Sequence, residues 1–341
     1  MIERTIRDIV EGRTLSRDAM RSAVSRVMDG EASEVQKTAM LVGLKLRGET
    51  AEEITGAAEA MRERVVEVGV GGDDLVDTCG TGGDGSGSFN ISTVAGLVAA
   101  AAGVKVAKHG NRAVSSKCGS ADVLAALGAR IDLDAAGMQA VLDRVGFSFL
   151  FAPALHPAMA AVMAVRRELG TRTIFNILGP LTNPARAKRQ VIGVFSRDLV
   201  PKVGEVLLAL GATHALVVHS EDGMDEISVS APTDACEVRA GAPLRRFRID
   251  PGELGLERSP RQALQGGSAD ENARIVRRIL EGERGARRDV VLANAGAAIY
   301  VGGAAGSIRE GVDRARRSID RGEALQVLDD LVAATRMEGA A

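Results

Sequence analysis

Tryptophan is absent, tyrosine occurs once, and aromatic residues make up 2% of the chain, so the stacking platforms on which single-stranded nucleic acid is held are nearly missing. Cysteine is scarce too. Cys79, Cys118 and Cys236 lie far apart with no C-x-x-C spacing, which argues against a disulfide framework or a zinc site and fits a reducing cytoplasm. Neither sign of charge dominates: 43 Lys and Arg against 45 Asp and Glu leave a net charge of −2, which offers no general field to nucleic acid or to a membrane. Any anion site must therefore be local. No run of about 18 uninterrupted apolar residues occurs, and no charged-then-apolar leader follows Met1, so neither a membrane span nor secretion is expected.

What is present is an ordinary globular composition, 45% hydrophobic and 26% charged over 341 residues, long enough that two lobes are expected. The chain is organised around 74–102. The apolar run 75–79 has strand length. Gly80, Gly82, Gly83, Gly85 and Gly87 then fall within eight positions, and 94–102 reads as a buried helix. Strand, glycine-rich loop and helix N-terminus together suit phosphate, because glycine backbone can approach an anion closely and the helix start presents unpaired N–H groups. Ser86, Ser88, Ser92 and Thr93 add neutral donors. Asp84 places a carboxylate in the loop, which suggests an intervening divalent cation or a ribose hydroxyl. Two named phosphate motifs fit poorly. Gly80-x4-Gly85 imitates a P-loop, but Ser86 stands where lysine is needed. G-x-G-x-x-G is also satisfied, yet about 20 residues on, where a dinucleotide site needs an acid, the chain reads VKVAK. An NAD-dependent dehydrogenase is thus a remote alternative.

Residues 1–70 read as three or four helices, with capping-box spacings at Ser33/Gln36 and Thr50/Glu53 and stops at Gly30 and Gly48. Beyond Asp74, strand candidates at 104–107, 147–151, 190–195 and 215–219 alternate with helices at 121–127, 134–145 and 199–210. This predicts an α/β fold, a mostly parallel sheet with helices on its faces. Residues 156–184 read as helix that folds back on the amino-terminal lobe, 243–260 as a strand-and-loop insertion, and 268–337 as helix. The expected division is 1–72 with 165–185 as a small helical domain and 73–341, discontinuous, as a large α/β domain.

Three further clusters carry chemistry. Residues 108–122 bring Lys108, Arg112 and Lys117 to a strand end ahead of a new helix start, a second anion-binding turn or else a solvated loop. The turns also hold His109 and His156, and Arg166, Arg167 and Arg172 follow a helix pattern; one guanidinium aimed into a cleft could grip a carboxylate through two parallel bonds. Glu221, Asp222, Asp225 and Glu226 sit at a strand end, as a solvated turn or as ligands to Mg²⁺.

The strings DTCGTGGD (77–84), FNIST (89–93), KHGNR (108–112), GSADVL (119–124), HPAM (156–159), RRELG (166–170), RTIFNILGPLTNP (172–184), Asp225-Glu226 and NAGAA (294–298) together resemble the anthranilate phosphoribosyltransferase family of tryptophan biosynthesis. The likeness spans nearly the whole chain in order; 243–260 does not match well, and Met224 stands where the family often has Leu. The resemblance implies a homodimer formed through a small helical domain, a large α/β domain, and a site in the cleft between them. It implies transfer of phosphoribosyl from phosphoribosyl pyrophosphate to the amine of anthranilate. Carried over by motif, Gly80, Gly82, Gly83, Asp84, Ser88, Asn90, Ser92, Thr93, Lys108 and Ser120 would bind phosphoribosyl pyrophosphate. Ser92, Asp225 and Glu226 would hold Mg²⁺. Gly80, His109, Asn111, His156, Arg166 and Pro180 would bind anthranilate. Catalysis would rest on positioning and charge, with Lys108 and Arg166 as the candidate groups. A pyrimidine nucleoside phosphorylase-like transferase shares the plan and is the nearer alternative.

Overall fold

The computed structural model describes residues 2–69, 73–113 and 117–338. Val114, Ser115 and Ser116 of the basic cluster, and 70–72 at the expected lobe boundary, lie outside the described residues.

Four helices open the chain: α1 (Ile2–Val10), α2 (Arg17–Met28), α3 (Glu34–Arg47) and α4 (Ala51–Arg62). Both expected capping boxes form, satisfying first-turn N–H groups that have no intrahelical partner. The remainder runs β1 (Val76–Asp77), α5 (Ile91–Ala101), β2 (Val106–Gly110), α6 (Ser120–Ala126), α7 (Ala135–Val145), β3 (Phe147–Phe151), α8 (Ala152–Leu155), α9 (Ala160–Leu169), α10 (Phe175–Leu178), β4 (Arg189–Gly193), α11 (Leu199–Ala209), β5 (His214–Ser220), β6 (Thr233–Arg239) and β7 (Arg245–Ile249). Helices α12 (Ala269–Leu280), α13 (Ala286–Val301), α14 (Ile308–Asp320) and α15 (Glu323–Glu338) follow. Among the described residues no helix is long and apolar enough to cross a membrane.

The seven strands form one sheet in the order β3-β2-β1-β4-β5-β6-β7. The first five are parallel, and β6 and β7 are antiparallel additions at one edge. Along β5 the side chains alternate between two cores: Leu216 and Val218 join the one shared with α5, α13 and α15, while Ala215 and Val217 join the one shared with α11 and the amino-terminal helices. Val162 and Val165 of α9 and Phe175, Ile177 and Leu178 of α10 belong to that second core, and α9 packs on α2 and α3.

Three elements differ from the sequence expectation. β1 is two residues long, because the Thr78 carbonyl accepts from Lys108 Nζ at 2.5 Å and Thr81 N–H donates to Gly193 O at 2.8 Å, which draws the chain out of the ladder. α5 starts at Ile91, so the polar residues Ser92 and Thr93 form its first turn. β6 follows no apolar run: Asp234, Glu237 and Arg239 interrupt it, and its pairing with β5 and β7 makes the strand.

Candidate active site

The sheet reverses direction at β1: the chain steps through β2 to β3, then returns to place β4 on the other side. Ligands in such sheets bind beyond the carboxyl ends of the strands flanking the reversal. The segments after β1, β4 and β5 meet there so closely that a Cβ on Gly193 would lie 1.5 Å from the Asp225 carbonyl oxygen.

In the segment after β1, Gly82, Gly83, Gly85 and Gly87 have φ of 67°, 73°, 70° and 65°, a region that costs a residue bearing a Cβ about 1–2 kcal/mol. Gly82 N–H donates to Asp225 Oδ2 at 2.7 Å. Asp84 Oδ1 accepts from Ser86 N and Oγ, each at 2.9 Å. Among the described residues the N–H groups of Gly83, Asp84 and Gly85 donate to no protein group. Three successive free donors in such a loop form a concavity for an anion.

Lys108 lies beneath this loop, 1% exposed, and its Nζ also reaches Ser92 Oγ at 3.2 Å. Asp225 and Glu226 are half-buried beside it. Glu226 Oε1 accepts Ser92 N–H at 3.2 Å, and Asp225 N–H donates to Asp84 Oδ2 at 3.3 Å. Burial, then the charge of the neighbouring carboxylate (Asp84 for Asp225, Asp225 for Glu226), pushes both acids well above the usual carboxylate range. A cation would relieve that repulsion. Thr78, Gly80, Ser92, Asp225, Glu226 and Asn294 line a small cavity here, and Asn294 braces the acidic loop through Ile227 N (3.0 Å) and O (2.9 Å). The donors are all oxygen, which suits a hard cation such as Mg²⁺. Among the described residues no three His, Cys, Asp or Glu side chains converge to hold a metal unaided; Mg²⁺ takes one or two carboxylates and completes its shell with substrate phosphates and water, so the set fits.

A second group forms at the end of β2. His109 Nδ1 meets Gly179 O at 3.1 Å, and His109 Nε2 meets His156 Nε2 at 3.1 Å. A carbonyl only accepts, so His109 carries its proton on Nδ1 and accepts from His156 Nε2–H. Both are buried. Burial, and for His109 then the neighbouring His156, lowers their pKa values to about 3 for His109 and about 4 for His156, so both are neutral near pH 7. Pro180 is buried next to Gly179, its carbonyl accepting from Gln190 Nε2 at 2.7 Å. Arg166 is half-buried with its guanidinium 5.7 Å from the Phe175 ring centroid. Its guanidinium makes no hydrogen bond or ion pair among the described residues, and burial lowers its pKa.

Gly80, Gly82, Gly83, Asp84, Ser92, Lys108, Asp225 and Glu226 are thus brought together. Ser88 is one link away through Ser86 Oγ at 3.1 Å. Thr93 is buried in the first turn of α5. Asn90 ties the two loops, donating to Cys118 O at 3.1 Å. Ser120 starts α6 against Gly110, where a Cβ would meet its Oγ at 2.9 Å. Asn111 is exposed and accepts from Arg112 N–H at 2.7 Å; no bond joins it or Arg166 to the carboxylate group. Sequence reasoning missed Asn272, 1% exposed, which donates to Asn90 Oδ1 at 3.0 Å, and Gln265, whose amide donates to Ser86 O at 3.2 Å. The glycine pair Gly266-Gly267 ahead of a capping box was the available signal. Asp77 was missed as well: its carboxylate accepts from Asn183 Nδ2 at 2.7 Å and His109 N–H at 3.1 Å.

A helical lobe beside an α/β sheet, with a main-chain anion cradle at the sheet's reversal, is an arrangement suited to a protein that binds a phosphorylated ligand. The chain matches the glycosyl transferase family helical bundle domain over residues 3–65 and the a/b domain of that family over 72–325. It is 55% identical over 335 residues to an anthranilate phosphoribosyltransferase of Anaeromyxobacter dehalogenans, covering 98% of this chain and 99% of that one. Identity to the enzyme of that name from Pelotomaculum thermopropionicum is 51%, covering 97% and 96%. Among solved structures, the anthranilate phosphoribosyltransferase of Thermus thermophilus superposes with a TM-score of 0.91 at 44% identity, covering 97% of this chain and 99% of that one. The Saccharomyces cerevisiae enzyme, solved in complex with PRPP and Mg, superposes with a TM-score of 0.91 at 25% identity, covering 98% of each. The chain belongs to the anthranilate phosphoribosyltransferase family.

Proposed function

We propose that this enzyme transfers the 5-phosphoribosyl group from phosphoribosyl pyrophosphate to the amine of anthranilate, giving N-(5′-phosphoribosyl)anthranilate and pyrophosphate. The free N–H groups of Gly83, Asp84 and Gly85 above buried Lys108 carry the reading, because they supply fixed positive potential to a leaving pyrophosphate. Gly80, Gly82, Ser88, Asn90, Ser92, Thr93 and Ser120 complete the phosphoribosyl pyrophosphate site. Ser92, Asp225 and Glu226 would hold Mg²⁺, which when bound neutralises charge on the phosphates.

Anthranilate's carboxylate goes to Arg166, supported by the absence of any hydrogen bond or ion pair to that half-buried guanidinium among the described residues, and Asn111, His109, His156, Gly80 and Pro180 line its place. The aryl amine is uncharged at neutral pH and needs no strong base. Attack at the anomeric carbon forms the C–N bond as the C–O bond to pyrophosphate breaks, and the acidic arylammonium proton so formed is lost to water, so Lys108 and the loop amides act on the growing negative charge of the leaving group. Loss of anthranilate fluorescence on adding phosphoribosyl pyrophosphate and Mg²⁺ is the expected result; unchanged fluorescence at high enzyme would overturn the assignment.

The same reading divides the chain into a helical domain, 1–72 with 165–185, and an α/β domain over the rest, supported by the packing of α9 on α2 and α3. It makes the protein a cytoplasmic homodimer. Val10, Val35 and Leu46 on the mutually packed α1 and α3 are 70%, 78% and 82% exposed, apolar surface that a second copy would cover. Sedimentation at micromolar concentration should give twice the chain mass.

A further inference from the structure

Arg172 lies six residues beyond Arg166 and touches two parts of the molecule, the Phe195 ring and the Gly83 carbonyl. Its neighbours are fixed on the helical side: Thr171 Oγ1 accepts from Lys45 Nζ of α3, and Thr173, 5% exposed, donates its N–H to Asn176 Oδ1 at 2.9 Å. From that base the guanidinium spans to the sheet side. Its carbon stands 4.3 Å from the ring centroid of Phe195, just past β4, and Nη2 donates to the carbonyl of Gly83. Phe195 is itself pinned to the glycine-rich loop, its N–H donating to Thr81 Oγ1 at 3.0 Å.

The grip on Gly83 has a consequence for the anion cradle. In a trans peptide the C=O and the following N–H point in opposite directions, and no cis peptide occurs among the described residues. Holding the Gly83 oxygen on one side of the loop therefore turns the Asp84 N–H, one of the three free donors, to the other side. With φ of 73° at Gly83, the glycine on one side of that peptide plane permits either orientation at little cost, so the bond to Arg172 helps to fix it.

We propose that Arg172 is a positioning residue that sets the direction of the cradle's donors and links the cradle to the segment bearing Arg166, so that filling one half of the cleft favours filling the other. This rests on the phosphoribosyl-transfer reading above. A guanidinium suits the task where an ammonium would not, since it stacks on a ring and directs a planar N–H at the same time. Coupling of this kind is reciprocal: whatever Arg172 contributes to anthranilate binding when the sugar phosphate is bound, it contributes equally in the other direction.

The test is steady-state kinetics on wild type, Arg172→Ala, Arg172→Lys, Phe195→Leu, Arg166→Ala and the double variant Arg166→Ala/Arg172→Ala, with thermal melting of each. Loss of one charge-assisted bond predicts a fall of about 10- to 100-fold in kcat/KM for phosphoribosyl pyrophosphate in Arg172→Ala, carried by KM more than kcat. Phe195→Leu, which removes the stack alone, should lose about 3-fold. Arg172→Lys should recover less than about a tenth of the lost efficiency. In the double variant the combined loss of kcat/KM for anthranilate should be at least about 5-fold smaller than the product of the single losses. Full rescue by Arg172→Lys would mean that charge alone suffices, and a strictly multiplicative double variant would mean no link to Arg166; either overturns the proposal. An active wild type with an unchanged Arg172→Ala sinks this inference alone, whereas a wild type that transfers no phosphoribosyl group sinks the reading of function beneath it.

Discussion

The proposed phosphate half of the site is made mainly of main chain, and the proposed acceptor half mainly of side chains. On the phosphate side, left-handed glycines hold free N–H groups in place, Lys108 is bonded to Thr78 and Ser92 from below, and Asp225 is held by Gly82. On the acceptor side, two neutral histidines bond each other and Gly179, and Arg166 keeps its whole donor capacity unspent. The first half resists change because its geometry is set by the backbone. On the proposed reading the second would discriminate, because an aromatic acid would supply the carboxylate that the Arg166 guanidinium lacks among the described residues. Charge is distributed to match: excess negative charge gathers on the proposed phosphate side, where a metal would offset it, and on the other lies a guanidinium with no ion pair among the described residues.

Removing the two acids should break the phosphate half with the largest effect. Asp225→Asn with Glu226→Gln is expected to lower kcat/KM by about 10³-fold, the scale of losing a preorganised electrostatic group, and to flatten the Mg²⁺ dependence of turnover. The same variant should melt no lower than wild type, because it deletes a repulsion between buried charges. Near-normal turnover would exclude the metal role. Arg166→Ala comes next. It should raise the anthranilate KM about 10- to 100-fold, the value of one charge-assisted pair, while kcat changes far less; an anthranilate KM equal to wild type would remove Arg166 from the site.

The difference in construction also decided what could be read from sequence. A cradle of glycines and hydroxyls leaves a local signature, so Gly80, Gly82, Gly83, Asp84 and Ser92 were legible from the strand–loop–helix pattern, as was Lys108 from its place at a strand end. The sheet was legible from alternating periodicity, apart from β6, whose Asp234, Glu237 and Arg239 hide it until β5 and β7 pair with it. The supports were not legible. Asn272 reaches Asn90 across 182 residues, Gln265 reaches Ser86 across 179, and Arg172 reaches Gly83 across 89. Such contacts depend on which loops the fold brings together, and nothing in the local spacing encodes them. Arg166 was named by family likeness; that its guanidinium makes no hydrogen bond or ion pair among the described residues is a tertiary fact.

The smallest expected effect separates the halves by the sign of their response to acid. His109 and His156 titrate in the native state at about 3 and about 4, below the ordinary value of 6.5. The unfolded chain therefore binds protons first, and the stability these residues contribute is present above pH 6.5 and lost as pH falls toward 4. Between pH 7.5 and 5.5 the loss is about 1.4 kcal/mol for each histidine. Asp225 and Glu226 act oppositely. Their raised native values mean that the folded protein takes up protons first, so lowering the pH over the same interval relieves repulsion and adds stability. Melting temperatures at the two pH values, in buffer without added metal, should show this in the variants. His109→Gln/His156→Gln should lose less stability on acidification than wild type, and Asp225→Asn/Glu226→Gln should lose more. If both variants track wild type, the charge states assigned to the two halves are wrong, and a response in the histidine variant alone would locate the error in the acidic loop.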